Sequence, residues 1–260
     1  PAARRSAGYC RRAGFCRGRK DRRKRMTEEA RKLSEKSRLD FDDLCRITRL
    51  LRAEGGCLWD RAQTHASVRS CVIEEAYEVV EAIDRNDSEL LCEELGDLLF
   101  QAVFHAQMEA EAGRFGIGDV VDRNARKMID RHPQVFGDEA ATDADEALRQ
   151  WEAHKIAEKG RVTKSARLRA VPAMLPALMR AQKVAKKAGL TEGTSPAAVA
   201  ASVGDALPGL AAGDPAAIGQ ALFELCRLAA LSGADAEECL TRVTERVISG
   251  VENSENCVKN

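Results

Sequence analysis

The sequence predicts an all-α protein built from tandem helical units related to four-helix bundles. Two observations carry that prediction. The chain is rich in Ala, Leu, Glu and Arg, while aromatic residues make up only 4% and prolines number seven, a balance that favours helix over sheet. Its apolar residues recur at helical spacing from Asp40 onward. A length of 260 residues allows one or two domains. The expected division is a basic tail over 1–36, a first helical domain over 37–160, a linker over 161–180 and a second helical domain over 181–260.

Arg4, Arg5, Arg11, Arg12, Arg17, Arg19, Lys20 and Arg22 to Arg25 meet one acid, Asp21, and almost nothing apolar. Such a stretch cannot bury a core and is expected to be disordered. It reads either as a nucleic-acid-binding or targeting arm or as residues preceding a true start at Met26. Phe41, Leu44, Ile47, Leu50 and Leu51 then form an apolar stripe opened by Asp40, Asp42 and Asp43, which suit a helix N-terminus. Gly55 and Gly56 end it. In the loop that follows, Trp59 is a candidate either for stacking on a nucleobase or for packing in the core. His65 is expected to be a loop hydrogen-bonder rather than a ligand.

The centre of the chain is the stretch Val72–Gln107, two helices broken at Asp84-Arg85-Asn86-Asp87. Ile73, Ala76, Val80 and Ile83 form one stripe; Leu91, Leu95, Leu98 and Ala102 form the other. Beside them lie two i, i+3 acid pairs, Glu75 with Glu78 and Glu94 with Asp97. Folded back at Asn86 as a helical hairpin, the chain sets Glu78 opposite Glu94 and Glu75 opposite Asp97. Four carboxylates at one seam repel and raise each other's pKa unless a cation sits among them. Mg²⁺, a hard ion that takes carboxylate, water and phosphate oxygens, suits such a set. A solvated acidic face would intersperse Lys or Arg at i+4, and none occurs between Ile73 and Ile83 or between Leu90 and Gln107.

Gly113 to Gly116 break the second helix. Ile117, Val120, Val121, Ala125, Met128 and Ile129 make a further stripe, stopped before Pro133. Lys127 and Arg131 form an i, i+4 basic pair on its other side. A helix over Asp143–Lys159 carries Trp151, and Pro172 and Pro176 punctuate the linker.

The spacing Glu74-Glu75-x-x-Glu78 then Glu94-x-x-Asp97, with GGCLWDRAQTH and RHPQVFGD in this order, resembles the MazG family of nucleoside triphosphate pyrophosphohydrolases. The likeness covers about Leu44 to Lys159. It implies hydrolysis of a nucleoside triphosphate between the α- and β-phosphates, with Mg²⁺ on Glu75, Glu78, Glu94 and Asp97. It also implies that Lys127 and Arg131 face the triphosphate and that Trp151 contacts the base. A carboxylate not fully engaged by metal, Glu74 being one option, would take the proton of the attacking water. Leu58, Ser70, Cys71 and Asp130 depart from residues common in the family.

The second half carries a worn repeat. GQALFELCRLAA from Gly219 echoes GDLLFQAVFHAQ from Gly96, keeping Leu222, Phe223, Leu225 and Leu228 but placing Gln220 and Ala217 where the acids would stand. Pro208 is expected to disrupt the upstream helix. This half is expected to be a scaffold in which the retained leucines pack.

Zero net charge predicts neither a nucleic-acid nor an anionic-membrane partner beyond the tail. No run is long enough to span a membrane. Nine scattered cysteines suggest reduced thiols in a cytoplasmic protein. An exposed apolar hairpin face predicts a homodimer. The alternative to an enzyme is a non-catalytic nucleotide- or partner-binding protein of the same descent.

Overall fold

The structure, a computed structural model, describes residues 27–158 and 163–258. Every regular element among them is a helix, and the chain divides into two compact units at Asp138/Glu139. The readings made for residues 1–26 lie outside the described residues. From Glu28, however, the segment expected to lack structure is α1 (Glu28–Glu35): Thr27 caps it by accepting the Ala30 N–H, and Leu33 is buried. The apolar content that the tail lacks returns at that leucine.

The first unit continues with α2 (Phe41–Arg52), α3 (Leu58–Ala62), α4 (Arg69–Asp84), α5 (Ser88–Glu111), α6 (Ile117–Asp130) and α7 (Pro133–Phe136). Asp40 and Asp43 form a reciprocal capping box at α2, and the Lys36 ammonium binds the fully buried Asp43 carboxylate. That contact raises the Lys36 pKa and lowers that of Asp43. Helix α5 is the spine, and α2, α4 and α6 pack against it.

The α4–α5 reversal follows from its turn residues. Asn86 adopts the left-handed conformation at φ 51°. The Asp87 N–H reaches the Ala82 carbonyl and the Asn86 N–H the Ile83 carbonyl, which closes α4 as a Schellman motif. The Asp87 carboxylate then accepts the Glu89 and Leu90 N–H groups and starts α5. Three residues thus end one helix and begin the next. Further along the hairpin, Val68, Cys71, Phe104 and Met108 make the buried cluster, with Trp59 and Phe100 packed on it. The apolar stripes of the hairpin face outward: Ile73, Tyr77, Val80, Ile83, Leu95 and Leu99 are all exposed.

The second unit contains α8 (Ala144–Glu158), α9 (Lys164–Arg169), α10 (Ala177–Lys187), α11 (Pro196–Asp205), α12 (Leu207–Ala211), α13 (Pro215–Leu231) and α14 (Ala236–Val258). Two segments differ from expectation: α8, expected at the end of the first domain, falls in this unit, and the expected linker holds α9, which Thr163 caps. Pro208 lies in the first turn of α12, where its missing N–H costs nothing, so α11 stops at Asp205 and a new helix begins.

Helix α13 packs against α10, α11, α12 and α14, but not with the face read from the repeat. Leu222 and Leu225 are exposed, whereas Ala221, Glu224 and Cys226 are buried. Glu224 accepts from Gln220 and pairs with Arg227 at 3.1 Å. Arg227 also donates to the Leu190 carbonyl and the Thr194 hydroxyl, tying α13 to the α10–α11 loop. The expectation that the retained leucines pack therefore fails at Leu222 and Leu225. Glu224→Ala should lower stability by about 1–3 kcal/mol, because Arg227 loses its buried partner. Leu225→Asp buries no charge within the protomer. Calorimetric unfolding of the two variants checks this; a Glu224→Ala protein that melts like wild type contradicts it.

Candidate metal centre

The α4–α5 register places Glu75, Glu78 and Glu94 so that one carboxylate oxygen from each lies within 4.8 Å of the others. Glu75 is buried at 5% exposure, and Glu78 and Glu94 are half-buried. Asp97 is exposed yet near enough to act on Glu75 and Glu94. Burial first, then the charges of Asp97 and Glu78, push the Glu75 carboxyl up to about 7. Glu94 is also raised, by burial and then by Glu78, Asp97, Glu93 and Glu81. The set is under electrostatic strain.

A divalent cation fits these residues. All the donors are carboxylate oxygens, the choice of a hard ion, and a double positive charge would offset the repulsion that adds to burial in raising Glu75.

The strain has a pH signature. The folded-state pKa of Glu75 lies above its ordinary value of 4.5. Its favourable contribution is therefore complete below about pH 4.5 and is lost as the pH rises through 7. The loss reaches about 3 kcal/mol. Glu109, held down to about 2, has the opposite sign: its contribution is present above its ordinary value and lost toward pH 2. Subtracting the Glu75→Gln unfolding profile from that of wild type isolates the first effect. Without metal, wild type should lose stability relative to the variant between pH 5 and 8, and Mg²⁺ should restore it most strongly at pH 8. Parallel profiles would contradict the clustering.

The other predicted residues lie as follows. Glu74 is exposed beside Glu75. Lys127 is half-buried in the last turn of α6, and Arg131, which caps that helix, is buried at 5% exposure. Both belong to a helix that packs on α5. Trp59 is partly buried against the core cluster. Trp151 lies in the second unit, on α8, with the Lys155 ammonium 4.2 Å from its ring centre.

A polar network further along the hairpin was not read from the sequence. His65 donates from Nε2 to Glu109 at 2.6 Å, and its Nδ1 meets His105 Nδ1 at 2.7 Å, with the two rings stacked. Burial, then His65, holds the His105 pKa below its usual value. Arg114 closes the network with two bonds to Glu109. His105 and Glu109 are an i, i+4 pair on α5, and that spacing was the available signal.

Comparison with known proteins agrees with this geometry. Residues 63–136, which span the acid hairpin, α6 and α7, match the MazG nucleotide pyrophosphohydrolase domain. The chain is 36% identical over 226 residues to the nucleoside triphosphate pyrophosphohydrolase/pyrophosphatase MazG of Thermotoga maritima, covering 84% of this chain and 87% of that one. It is 45% identical over 148 residues to a nucleoside triphosphate pyrophosphohydrolase of Escherichia coli, covering 56% of each chain. A protein of the same name from Mycolicibacterium smegmatis is 39% identical over 146 residues, 54% of this chain and 45% of that one. The acid hairpin and a likeness that runs nearly the length of the Thermotoga protein together place the chain: it belongs to the MazG family of nucleoside triphosphate pyrophosphohydrolases.

Proposed function

We propose that the chain hydrolyses nucleoside triphosphates to nucleoside monophosphate and pyrophosphate in a Mg²⁺-dependent reaction. The observation that carries this reading is the strained cluster of Glu75, Glu78 and Glu94. These residues, with Asp97 beside them, would hold the cation. When bound, it supplies a Lewis acid for the phosphate oxygens and lowers the pKa of water. The remaining work falls to the chain. The hairpin fixes the carboxylates at matched heights, so the acidic wall is formed before substrate arrives. Lys127 would face the polyphosphate from the last turn of α6, where a cation offsets the charge that develops there. Arg131, buried at the end of the same helix, adds to its positive field. Exposed Glu74 is the candidate to accept the proton of the attacking water.

The activity fits the removal of unwanted nucleotides from cellular pools. A cytoplasmic setting suits the six free cysteines among the described residues, and no described helix is long and apolar enough to cross a membrane. The outward stripes of α4 and α5 call for a cover, and a second copy of the chain is the simplest one. The second unit, whose α13 has Gln220 and Ala217 in place of acids, serves as scaffold.

Pyrophosphate release across a panel of ordinary and modified triphosphates, with and without Mg²⁺, tests the reading. Turnover of at least one triphosphate that stops when Mg²⁺ is withheld is expected. Binding of nucleotides without any release of pyrophosphate would favour a non-catalytic member of the family.

A further inference from the structure

The second unit holds a charged pocket with no part in the reaction proposed above. It is a cavity of about 320 Å³ between α8, α9 and the end of α10. Its walls carry five basic side chains, Lys155, Lys164, Arg167, Lys186 and Lys187, against two acids, Glu152 and Glu192. The sequence explains the imbalance. From Thr163 to Thr191 the chain has seven Lys or Arg and no Asp or Glu. Local structure then gathers these charges. Helix α9 packs on α10, and α10 closes at Gly189, whose φ of 69° lets the Leu190 N–H reach the Ala185 carbonyl. That turn brings Glu192 against Gly189 and sets Lys186 and Lys187 at the pocket wall.

Four of these five cations have no partner of their own among the described residues. Among the described residues, the side chains of Lys164, Arg167, Lys186 and Lys187 make no ion pair or hydrogen bond. Arg167 Nε is buried with no acceptor. A buried donor without an acceptor and a positive excess of three charges are both relieved by one kind of ligand, a compact polyanion rich in acceptor oxygens. A single carboxylate or chloride would leave most of the charge unbalanced. A concave pocket of this volume, rather than an extended stripe, favours a small ligand over a nucleic acid.

We propose that this pocket binds the linear polyphosphate group, as pyrophosphate or tripolyphosphate, independently of the Glu75 cluster. It is thus a second phosphate site, held by side-chain cations alone. Because it needs no divalent metal, it can be tested where the metal centre is silent.

The test is isothermal titration of tripolyphosphate into the full chain in EDTA at low ionic strength. Wild type should show saturable binding. Lys186→Gln/Lys187→Gln should weaken it by about tenfold or more, since two charge-assisted contacts are lost. Arg180→Gln/Lys183→Gln removes the same charge from the same helix outside the pocket and should weaken binding no more than about threefold. Glu192→Gln should tighten it. Absence of saturable binding in wild type, or equal losses in the two double variants, overturns the proposal. The assay involves no turnover, so its failure leaves the proposed hydrolysis untouched.

Discussion

Glu75→Gln and Glu94→Gln should each reduce Mg²⁺-dependent pyrophosphate release on the order of a thousandfold, while the proteins keep their helix content. The substitution preserves shape and removes one charge from the carboxylate set that would hold the cation. Stability should move the other way. Glu75 is raised to about 7 by burial and by its acidic neighbours, so above that pH a neutral amide relieves repulsion and the metal-free variant should melt at or above wild type. Loss of activity together with gain of stability separates a ligand from a structural residue, because a residue needed for folding would lose both. Circular dichroism, thermal unfolding and a pyrophosphate assay on the same samples give the three readings. Wild-type turnover in either variant would remove the acid cluster from the chemistry.

The largest loss of stability should come from Arg52→Met. This side chain, only 7% exposed, donates from Nε and Nη2 to both oxygens of Glu111, at 2.9 and 2.8 Å. Its Nη1 donates to the Asp60 and Gln63 carbonyls, and its guanidinium lies 5.1 Å from the centre of the Phe104 ring. One residue therefore ties α2 to α3, to the loop after α3 and to the end of α5. Met fills much of the volume but removes the only charged partner of Glu111 among the described residues and a donor from each of the two carbonyls. The cost should be about 3–5 kcal/mol, or roughly 10 °C in melting temperature for a chain of this size. Arg52→Lys keeps the charge but not the planar fork and should fall between. A methionine variant that melts within a degree or two of wild type would show that the network carries little of the stability.

What could be read from the sequence depended on range. The hairpin was legible because everything that sets it is local: Asn86 and Asp87 define the turn, and acids eight and eleven residues either side of Asn86 must then meet. Helix identity was legible from apolar spacing for the same reason. The inward face of α13 was not, because its apolar residues span more than one stripe and only the packing of α10 to α12 selects Ala221 and Cys226 over Leu222 and Leu225. The burial of Glu224 was not legible either, since it goes with Arg227 reaching the α10–α11 loop 37 residues away in sequence. The network of His65, Glu109 and Arg114 joins a loop to the far end of the hairpin, and the charge pocket depends on how α8, α9 and α10 come together. Both are products of tertiary structure, although the acid-free run that supplies most of the pocket's cations stands in plain view.

The central claim is that Glu75, Glu78 and Glu94 hold the divalent cation that serves the triphosphate. Mn²⁺ shares the oxygen preference of Mg²⁺ and can be followed by paramagnetic resonance. Titrating Mn²⁺ into the chain with a nucleotide analogue that cannot be cleaved between the α- and β-phosphates measures binding without turnover. The account predicts protein-bound Mn²⁺ in wild type and its loss in Glu75→Gln and Glu94→Gln. Retention of the same bound signal in both variants would contradict it.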